Sequence, residues 1–325
     1  MKIDRFVLAI LIVIGLAYIF PYLGSDQSPL NLDIIASAGI SLIFFFYGLK
    51  LSPEKIKDGL KNWKLHLVVQ LTTFFIFPLV VLLVYPWVIH TQFSELWLPF
   101  FFLAALPSTV SSSVVMVSIA KGNIPAAIFN ASISGLIGIA ITPLWMGLFL
   151  QQDSTGYDLS DIYVKLIVEI LIPVILGLVL NKKLGKVAVR YAKELALFDK
   201  SIILVIIYKS FAESFLENVF AEIQTKDLLI MFLCAIALFF FMFYTTGFLS
   251  KRLNFSAEDR ITAQFCGTKK SLVHGTVFSK ILFAGSFSTG LILLPLMLFH
   301  GLQIFIISII ASKMAQRDTY RKVID

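Results

Sequence analysis

Phe265-Cys266-Gly267-Thr268-Lys269-Lys270-Ser271-Leu272-Val273-His274-Gly275 is the stretch on which the fold turns. It lies between Ile261 and Gly285 in an otherwise apolar segment, and it places two adjacent lysines and a histidine where hydrocarbon-facing residues belong. An ammonium group at the centre of a bilayer costs about 2.5–3.5 kcal/mol on insertion scales. A chain carries that cost only when the lysines face protein or water. The flanking Gly267 and Gly275 point to unwound backbone, which a spanning segment tolerates only where it is buried in protein or lines a cavity.

The rest of the composition agrees with a membrane setting. The 325 residues are 58% hydrophobic and 14% charged, with a mean hydropathy of +0.89, whereas soluble domains carry about 25% charged residues. The chain reads as an all-α, polytopic integral membrane protein whose first partner is the lipid bilayer. The formal charge of +7 does not imply nucleic acid, because the basic residues gather in short loops between apolar spans, the pattern that orients a membrane protein. Cys234 and Cys266 are the only cysteines and both fall inside spans, so there is no disulfide framework and no metal-ligand spacing. Residues 6–20 follow Lys2 and Arg5 as in a signal peptide, but no small-residue cleavage site comes after them. They read as an uncleaved first helix.

About 20 apolar residues cross a hydrocarbon core. Ten segments qualify: 5–22, 33–50, 65–89, 96–119, 124–150, 161–181, 199–218, 227–249, 258–284 and 287–313. No long polar stretch separates them, which leaves a single membrane domain. Basic residues alternate strictly between loops. Twenty-one lysines and arginines fall on the side shared by the two termini, and only Lys226 and Lys280 fall on the other. Excess basic charge marks the cytoplasm, so both termini are expected there; if the source is bacterial, the membrane is the inner or plasma membrane.

Ten spans divide into two sets of five, residues 1–152 and 153–325. An odd number per set gives the sets opposite orientations, the inverted repeat of many secondary transporters. The fourth span contains Leu106-Pro107-Ser108-Thr109-Val110-Ser111-Ser112-Ser113. Pro107 removes a backbone donor, and the hydroxyls compete for the freed backbone groups. The ninth span contains Thr268, Lys269, Lys270 and Ser271. Thr109 and Thr268 lie 159 residues apart, about half the chain. Two broken helices are expected to cross, with half-helix ends and open carbonyls offered to a solute or ion. Tight helix packing by serine and threonine is the alternative.

Other polar residues inside spans are candidates as well. Glu169, one turn before Pro173, and Lys209 suit coupling, by proton transfer or ion pairing, although a structural interhelix pair fits them equally. Lys165 and Glu213 read as interfacial and snorkelling. Asn130 and Ser132 can reach a cavity or bond between helices. His274, one turn beyond Lys270, is a titratable candidate or a hydrogen-bonded core residue. Lys121-Gly122-Asn123 reads as a turn with Gly or Asn in a left-handed cap. The runs Phe44-Phe45-Phe46 and Phe239-Phe240-Phe241 read as lipid-facing or packing residues.

Several motifs resemble the bile acid:sodium symporter family. Phe46-Tyr47-Gly48-Leu49-Lys50-Leu51 resembles its Gly-Leu-x-Leu signature. Ser113-Val114-Val115-Met116 leading to Ala120-Lys121-Gly122-Asn123 resembles its fourth-helix crossover, and Pro173-Val174-Ile175-Leu176-Gly177 with Asn181 its sixth helix. The likeness covers nearly the whole chain. It is nearest to the divergent branch that holds the seventh member of solute carrier family 10 and its bacterial relatives. The Phe-Cys-Gly-x-Lys-Lys-Ser-Leu and Leu-Pro-Ser-Thr-Val-Ser-Ser-Ser runs mark that branch. The resemblance implies a core and a panel domain that rock against each other around crossed fourth and ninth helices, with two sodium ions behind the crossing coupled to an organic anion.

This sequence departs from the family at the ion ligands. The ninth-helix Glu that bridges both sodium sites becomes Phe265, and the Gln four residues later becomes Lys269. The fourth-helix Ser-Asn pair becomes Ser113-Val114, later Ser and Thr ligands fall on Ala127 and Ala131, and a third-helix Gln falls near Thr73. A lysine ammonium can deliver the charge that sodium would bring and can also exchange a proton. The expected function is a secondary transporter of a small, anionic solute by alternating access. Lys269 or Lys270 replaces bound sodium, and no cofactor is needed beyond sodium or proton coupling. The binding set is Ser108, Thr109, Ser111, Ser112, Ser113, Asn130, Thr268, Lys269, Lys270, Ser271 and His274. The competing readings are a transport-inactive regulator of ion homeostasis and a conventional sodium:organic anion symporter. An intramembrane enzyme is disfavoured, since no paired acids, Cys-His couple or metal motif are arranged. No nucleotide-binding motif suggests ATP-driven pumping. Oligomeric state is left open.

Overall fold

The computed structural model describes residues 5–25, 28–50, 62–109, 111–150, 164–165, 167–218, 224–283 and 288–324. Lys55, Lys57 and Lys61 of the second expected loop lie outside these residues, as does the side chain of Ser111. Among the described residues every regular element is helical and there is no strand. The elements are α1 (Arg5–Ile19), α2 (Leu32–Lys50), α3 (Trp63–Leu71), α4 (Phe77–Val88), α5 (Ser94–Ala105), α6 (Ser111–Ile119) and α7 (Ile124–Leu150). They continue with α8 (Ile172–Arg190), α9 (Ala192–Leu216), α10 (Thr225–Arg252), α11 (Ala257–Thr268), α12 (Leu272–Leu282) and α13 (Thr289–Ile324). Single π turns, Thr72–Ile76 and Ile167–Leu171, lead into α4 and α8. Among the described residues, five helical stretches are long and apolar enough to cross a membrane: Leu32–Lys50, Trp63–Val88, Ile124–Leu150, Thr225–Arg252 and Thr289–Ala315.

Two details differ from the sequence expectation. The basic stretch after residue 181 is helical rather than a loop. α8 runs to Arg190 and α9 starts at Ala192, with Tyr191 alone at the corner. Lysine, alanine, leucine and glutamate fill this stretch, and all are good helix formers. In the turn after α6 the left-handed residue is Lys121 (φ 58°), not Gly122 or Asn123. Gly122 N–H instead closes the helix end on the Val117 carbonyl at 2.8 Å. Gly122 is glycine because a Cβ there would come within 2.8 Å of Val117 and 3.0 Å of Ile261 and Thr262. Asn123 caps α7, accepting the Ala126 N–H at 3.1 Å.

The chain forms two compact units, each discontinuous in sequence. Unit 1 takes Met1–Pro53, Pro143–Thr225 and Val273–Leu294. Its centre is the packing of α2 on α8, with α1 on α9. A Cβ on Gly48 would strike the Val174 carbonyl oxygen, and one on Gly177 would strike that of Phe45. Paired glycines let the two backbones touch, as small residues do between membrane helices. Asn181 then donates to the Leu49 carbonyl at 2.6 Å and satisfies the end of α2. The motif residues of α2 and α8 thus have a packing reason.

Unit 2 takes Glu54–Thr142, Lys226–Leu272 and Pro295–Asp325. Its interior is aromatic. Phe299 packs on Phe77 and on Phe239, each with ring centroids 6.0 Å apart. Phe243 meets Phe265 at 6.2 Å. The first phenylalanine run buries Phe44 and the second buries Phe239, while Phe241 is exposed. At the start of α11, Ser256 caps the helix through the Asp259 N–H, and the Asp259 carboxylate accepts from Asn62 (2.9 Å) and Asn123 (2.7 Å).

Close helix approach in unit 1 yields a stability prediction. Gly177→Ala should destabilise the protein by about 1–3 kcal/mol, the usual cost of overpacking. Gly15→Ala, mid-helix where a Cβ meets nothing within 4 Å, should not lower the unfolding temperature in detergent, since alanine favours the helix. Equal melting temperatures for the two variants would refute the backbone contact.

Candidate functional site

Two prolines leave carbonyls without donors. At the π turn, Phe77 N–H donates to Thr72 O instead of Thr73 O. In that wider register the next donor belongs to residue 78, which is proline and has none. The Thr73 carbonyl is left open. At the end of α5, Pro107 has no N–H for the Leu103 carbonyl, and Leu106 N–H takes it at 3.4 Å. Leu106 then turns extended (φ −73°, ψ 152°). Ser108 N–H goes to Ser134 Oγ at 3.0 Å, so the Ala104 carbonyl loses its helical donor. Thr142 Oγ1 fills the Ala105 carbonyl at 2.8 Å. The carbonyls of Ala104 and Leu106 remain open at a helix C-terminus, where partial negative charge collects.

The second break is held from outside. α11 ends at Thr268, and Lys269 is extended (φ −82°, ψ 147°). Lys270 N–H donates to Gln303 Oε1 at 2.8 Å, and Gln303 Nε2 donates back to the Lys270 carbonyl at 2.8 Å. One buried amide from α13 thereby replaces both helical bonds of Lys270. Its Nε2 also lies 3.0 Å from His300 Nδ1. Ser271 N–H donates to the Pro107 carbonyl (2.9 Å), and Ser108 Oγ donates to the Cys266 carbonyl (2.6 Å). The two interrupted stretches are therefore bonded to each other. Gly267 lets this segment approach Thr246 and Thr72, whose atoms would lie 3.3 and 3.5 Å from a Cβ.

Lys270 uses the open carbonyls. Its Nζ donates to Thr73 O (2.8 Å), Ala104 O (2.6 Å) and Leu106 O (2.9 Å), and lies 4.1 Å from the centre of the Phe77 ring. All three ammonium protons are placed, and the side chain is fully buried. Its charge is met by carbonyl dipoles and a ring face. Lys269 is equally buried but differently served. Its Nζ donates to Ser112 Oγ at 2.9 Å, its one hydrogen bond among the described residues. Thr109 Oγ1 lies 2.9 Å from both Ser112 Oγ and Ser113 Oγ. Lys269 thus ends on a chain of hydroxyls.

The remaining candidates are distributed. Thr268 Oγ1 is buried without a hydrogen-bond partner among the described residues, as are Thr72 Oγ1 and Thr73 Oγ1. Asn130 bonds its own helix at Ala126 O (3.0 Å), and its Oδ1 accepts from Gln70 at 3.2 Å. Ser132 is bonded to Ile128 O at 2.9 Å on its own helix. His274 packs within unit 1 against the rings of Phe44 (5.7 Å), Tyr47 (6.2 Å) and Phe278 (5.9 Å). Glu169 and Lys209 line a cavity of unit 1 together with Asp33, Glu213 and Lys280. Lys209 is ion-paired to Asp33 (2.7 Å) and Glu213 (2.6 Å), so Glu213 has a partner rather than snorkelling alone. Sequence reading missed the carbonyl cradle, Gln303, Asp33 and Lys280. The cradle was foreshadowed by Pro78 and Pro107, and Gln303 by its polarity inside an apolar span.

Comparisons with known proteins agree on the kind of molecule. Residues 4–316 match the model of the SBF-like CPA transporter family. An uncharacterized protein of Pseudomonas aeruginosa is 38% identical over 314 residues, covering 97% of this chain and 93% of the relative. YfeH of Escherichia coli, described as a candidate symporter, is 34% identical over 310 residues, covering 95% and 92%. Sodium/bile acid cotransporter 7 of Xenopus tropicalis is 32% identical over 312 residues, covering 94% and 90%. With the match running from one end of the apolar helices to the other, the chain belongs to the SBF-like CPA transporter family.

Proposed function

We propose that the protein is a secondary transporter that moves a small, anionic solute by alternating access, with the Lys270 ammonium in the place of a bound sodium ion. The observation that carries this reading is the Lys270 ammonium on three carbonyls, with no carboxylate paired to it among the described residues. Carbonyl oxygens freed at broken helices are the groups that coordinate cations in transporters. A cation that is part of the chain fills such a cradle permanently. Phe265, fully buried beside Phe243, supplies no carboxylate for a second ion.

Lys269 takes the solute role in this reading. Lys270 has no proton left to donate, whereas Lys269 makes one bond of a possible three. An oxyanion of the solute meets Lys269 and the hydroxyls of Thr109, Ser112 and Ser113. The ten spans form two inverted sets of five. Unit 2 corresponds to the core domain, and unit 1 to the panel. The interrupted fourth and ninth spans, with breaks after Ala105 and Thr268, support that arrangement. The basic-loop asymmetry supports cytoplasmic termini.

A second reading, sodium-coupled transport, is favoured by the buried hydroxyls of Thr72, Thr73 and Thr268, which could serve as ion ligands. Thermal unfolding of the detergent-purified protein separates the two. Across a panel of organic carboxylates and sulfonates, at least one should stabilise the wild type and none should stabilise Lys269→Ala. Replacing sodium by choline should change neither result. Stabilisation that requires sodium would favour the second reading, and an anion response that survives in Lys269→Ala would remove Lys269 from the site.

Orientation is tested separately. Green fluorescent protein fused to the C-terminus should fluoresce in bacterial cells, and alkaline phosphatase at the same place should be inactive. An active phosphatase fusion would overturn the assigned orientation.

A further inference from the structure

A cavity of about 720 Å³ lies wholly within unit 1. Its size falls in the range of small-molecule sites, about 300–1,000 Å³, but such sites are mostly apolar. This one is not. Four carboxylates and three ammonium groups line it, with serine and threonine hydroxyls between them and few apolar side chains. A wall of that kind offers little to a steroid-like body. It suits a hydrophilic molecule that carries both signs of charge.

The charged groups are arranged in a definite way. Asp33, in the first turn of α2, bridges two lysines from two other helices. One carboxylate oxygen lies 2.7 Å from Lys209 Nζ and the other 3.4 Å from Lys280 Nζ. Lys280 also donates to the Asp33 carbonyl (2.9 Å) and Ser37 Oγ (3.1 Å). The Asp33 side chain is 48% exposed, whereas those of Lys209 and Lys280 are 11% and 18% exposed. A half-exposed carboxylate thus occupies a receptor made by two largely buried ammonium groups. On the same wall, Glu169 has no ion-pair partner within 4.0 Å among the described residues, although Lys280 is near enough to act on it through space. Ser210 is 5% exposed, lines the cavity, and its hydroxyl has no hydrogen-bond partner among the described residues.

We infer that this cavity binds a small aminocarboxylate zwitterion. Its carboxylate shares or takes the place of Asp33 on Lys209 and Lys280, its ammonium group pairs with Glu169, and Ser210 supplies a further hydrogen bond. The two-sign requirement follows from the wall. A lone anion would meet the carboxylates that outnumber the lysines, and a lone cation would meet Lys209 and Lys280. The site shares no residue with the Lys269–Lys270 pair, so the inference does not rest on the carrier reading above.

The test uses the full chain purified in detergent, with β-alanine and γ-aminobutyrate as probes and acetate and methylammonium as single-charge controls. Each amino acid should raise the unfolding temperature with saturation, and neither control should do so. Glu169→Gln and Lys280→Gln should each raise the half-saturating concentration by about tenfold, the loss of one charge-assisted contact. Among the described residues Glu169 makes no ion pair, so its variant removes no structural bond seen there. Lys269→Ala should leave the response unchanged, which separates this site from the one in unit 2. The inference is overturned if the amino acids give no stabilisation, if acetate or methylammonium alone matches them, or if both substitutions leave the response unaltered.

Discussion

One ammonium group on three carbonyl oxygens organises unit 2. Lys270 reaches Thr73, Ala104 and Leu106, residues of two separate stretches of chain; a proline or a diverted N–H has removed the helical donor of the first two carbonyls, and Leu106 has turned extended out of its helix. Each buried carbonyl left unmet would cost about 1–3 kcal/mol. A buried charge without partners would cost more. The open carbonyls and the charge therefore satisfy each other, and neither is tolerable alone. Gln303 completes the arrangement by bonding both backbone groups of Lys270.

Two adjacent lysines with the same burial serve different ends. Alternation along an extended segment sends their side chains to opposite sides. Lys270 goes to a helix C-terminal end, rich in carbonyls, where partial negative charge favours it. Lys269 goes to the first turn of α6, where N–H groups and hydroxyls gather and its own charge is less well met. Saturation fixes the first as architecture. In the proposed reading, the unused donors of Lys269 are the ones an anionic solute meets. The charges of unit 1 are handled differently, by ion pairs at a cavity wall, with Asp33 bridging Lys209 and Lys280 and Glu213 pairing with Lys209.

The helical class and the interrupted stretches were legible because they depend on local chemistry. Pro107 must break a ladder, and a Lys-Lys pair inside an apolar run must be sheltered. The paired glycines at 48 and 177 were visible as motif residues, although nothing in the sequence said that each sits on the other's backbone. Partner choice was the illegible part. That Lys270 rather than Lys269 takes the cradle depends on which way an extended residue faces. That Gln303 holds the break depends on a helix 33 residues further along the chain. Asp33 was hidden because an acid in the first turn of a helix is ordinary. Its bridging role appears only when Lys209 and Lys280 converge on it. The left-handed Lys121 shows the limit of composition rules, since close packing claimed the neighbouring glycine instead.

The claim that a side-chain ammonium does the work of a bound cation is tested most directly by removing it and offering a free one. Lys270→Ala, purified in detergent, should melt well below the wild type in choline chloride. Sodium, potassium or methylammonium should then restore part of the loss, with the wild type unmoved by the same salts. A variant that melts like the wild type, or one that no small cation rescues, would contradict the account.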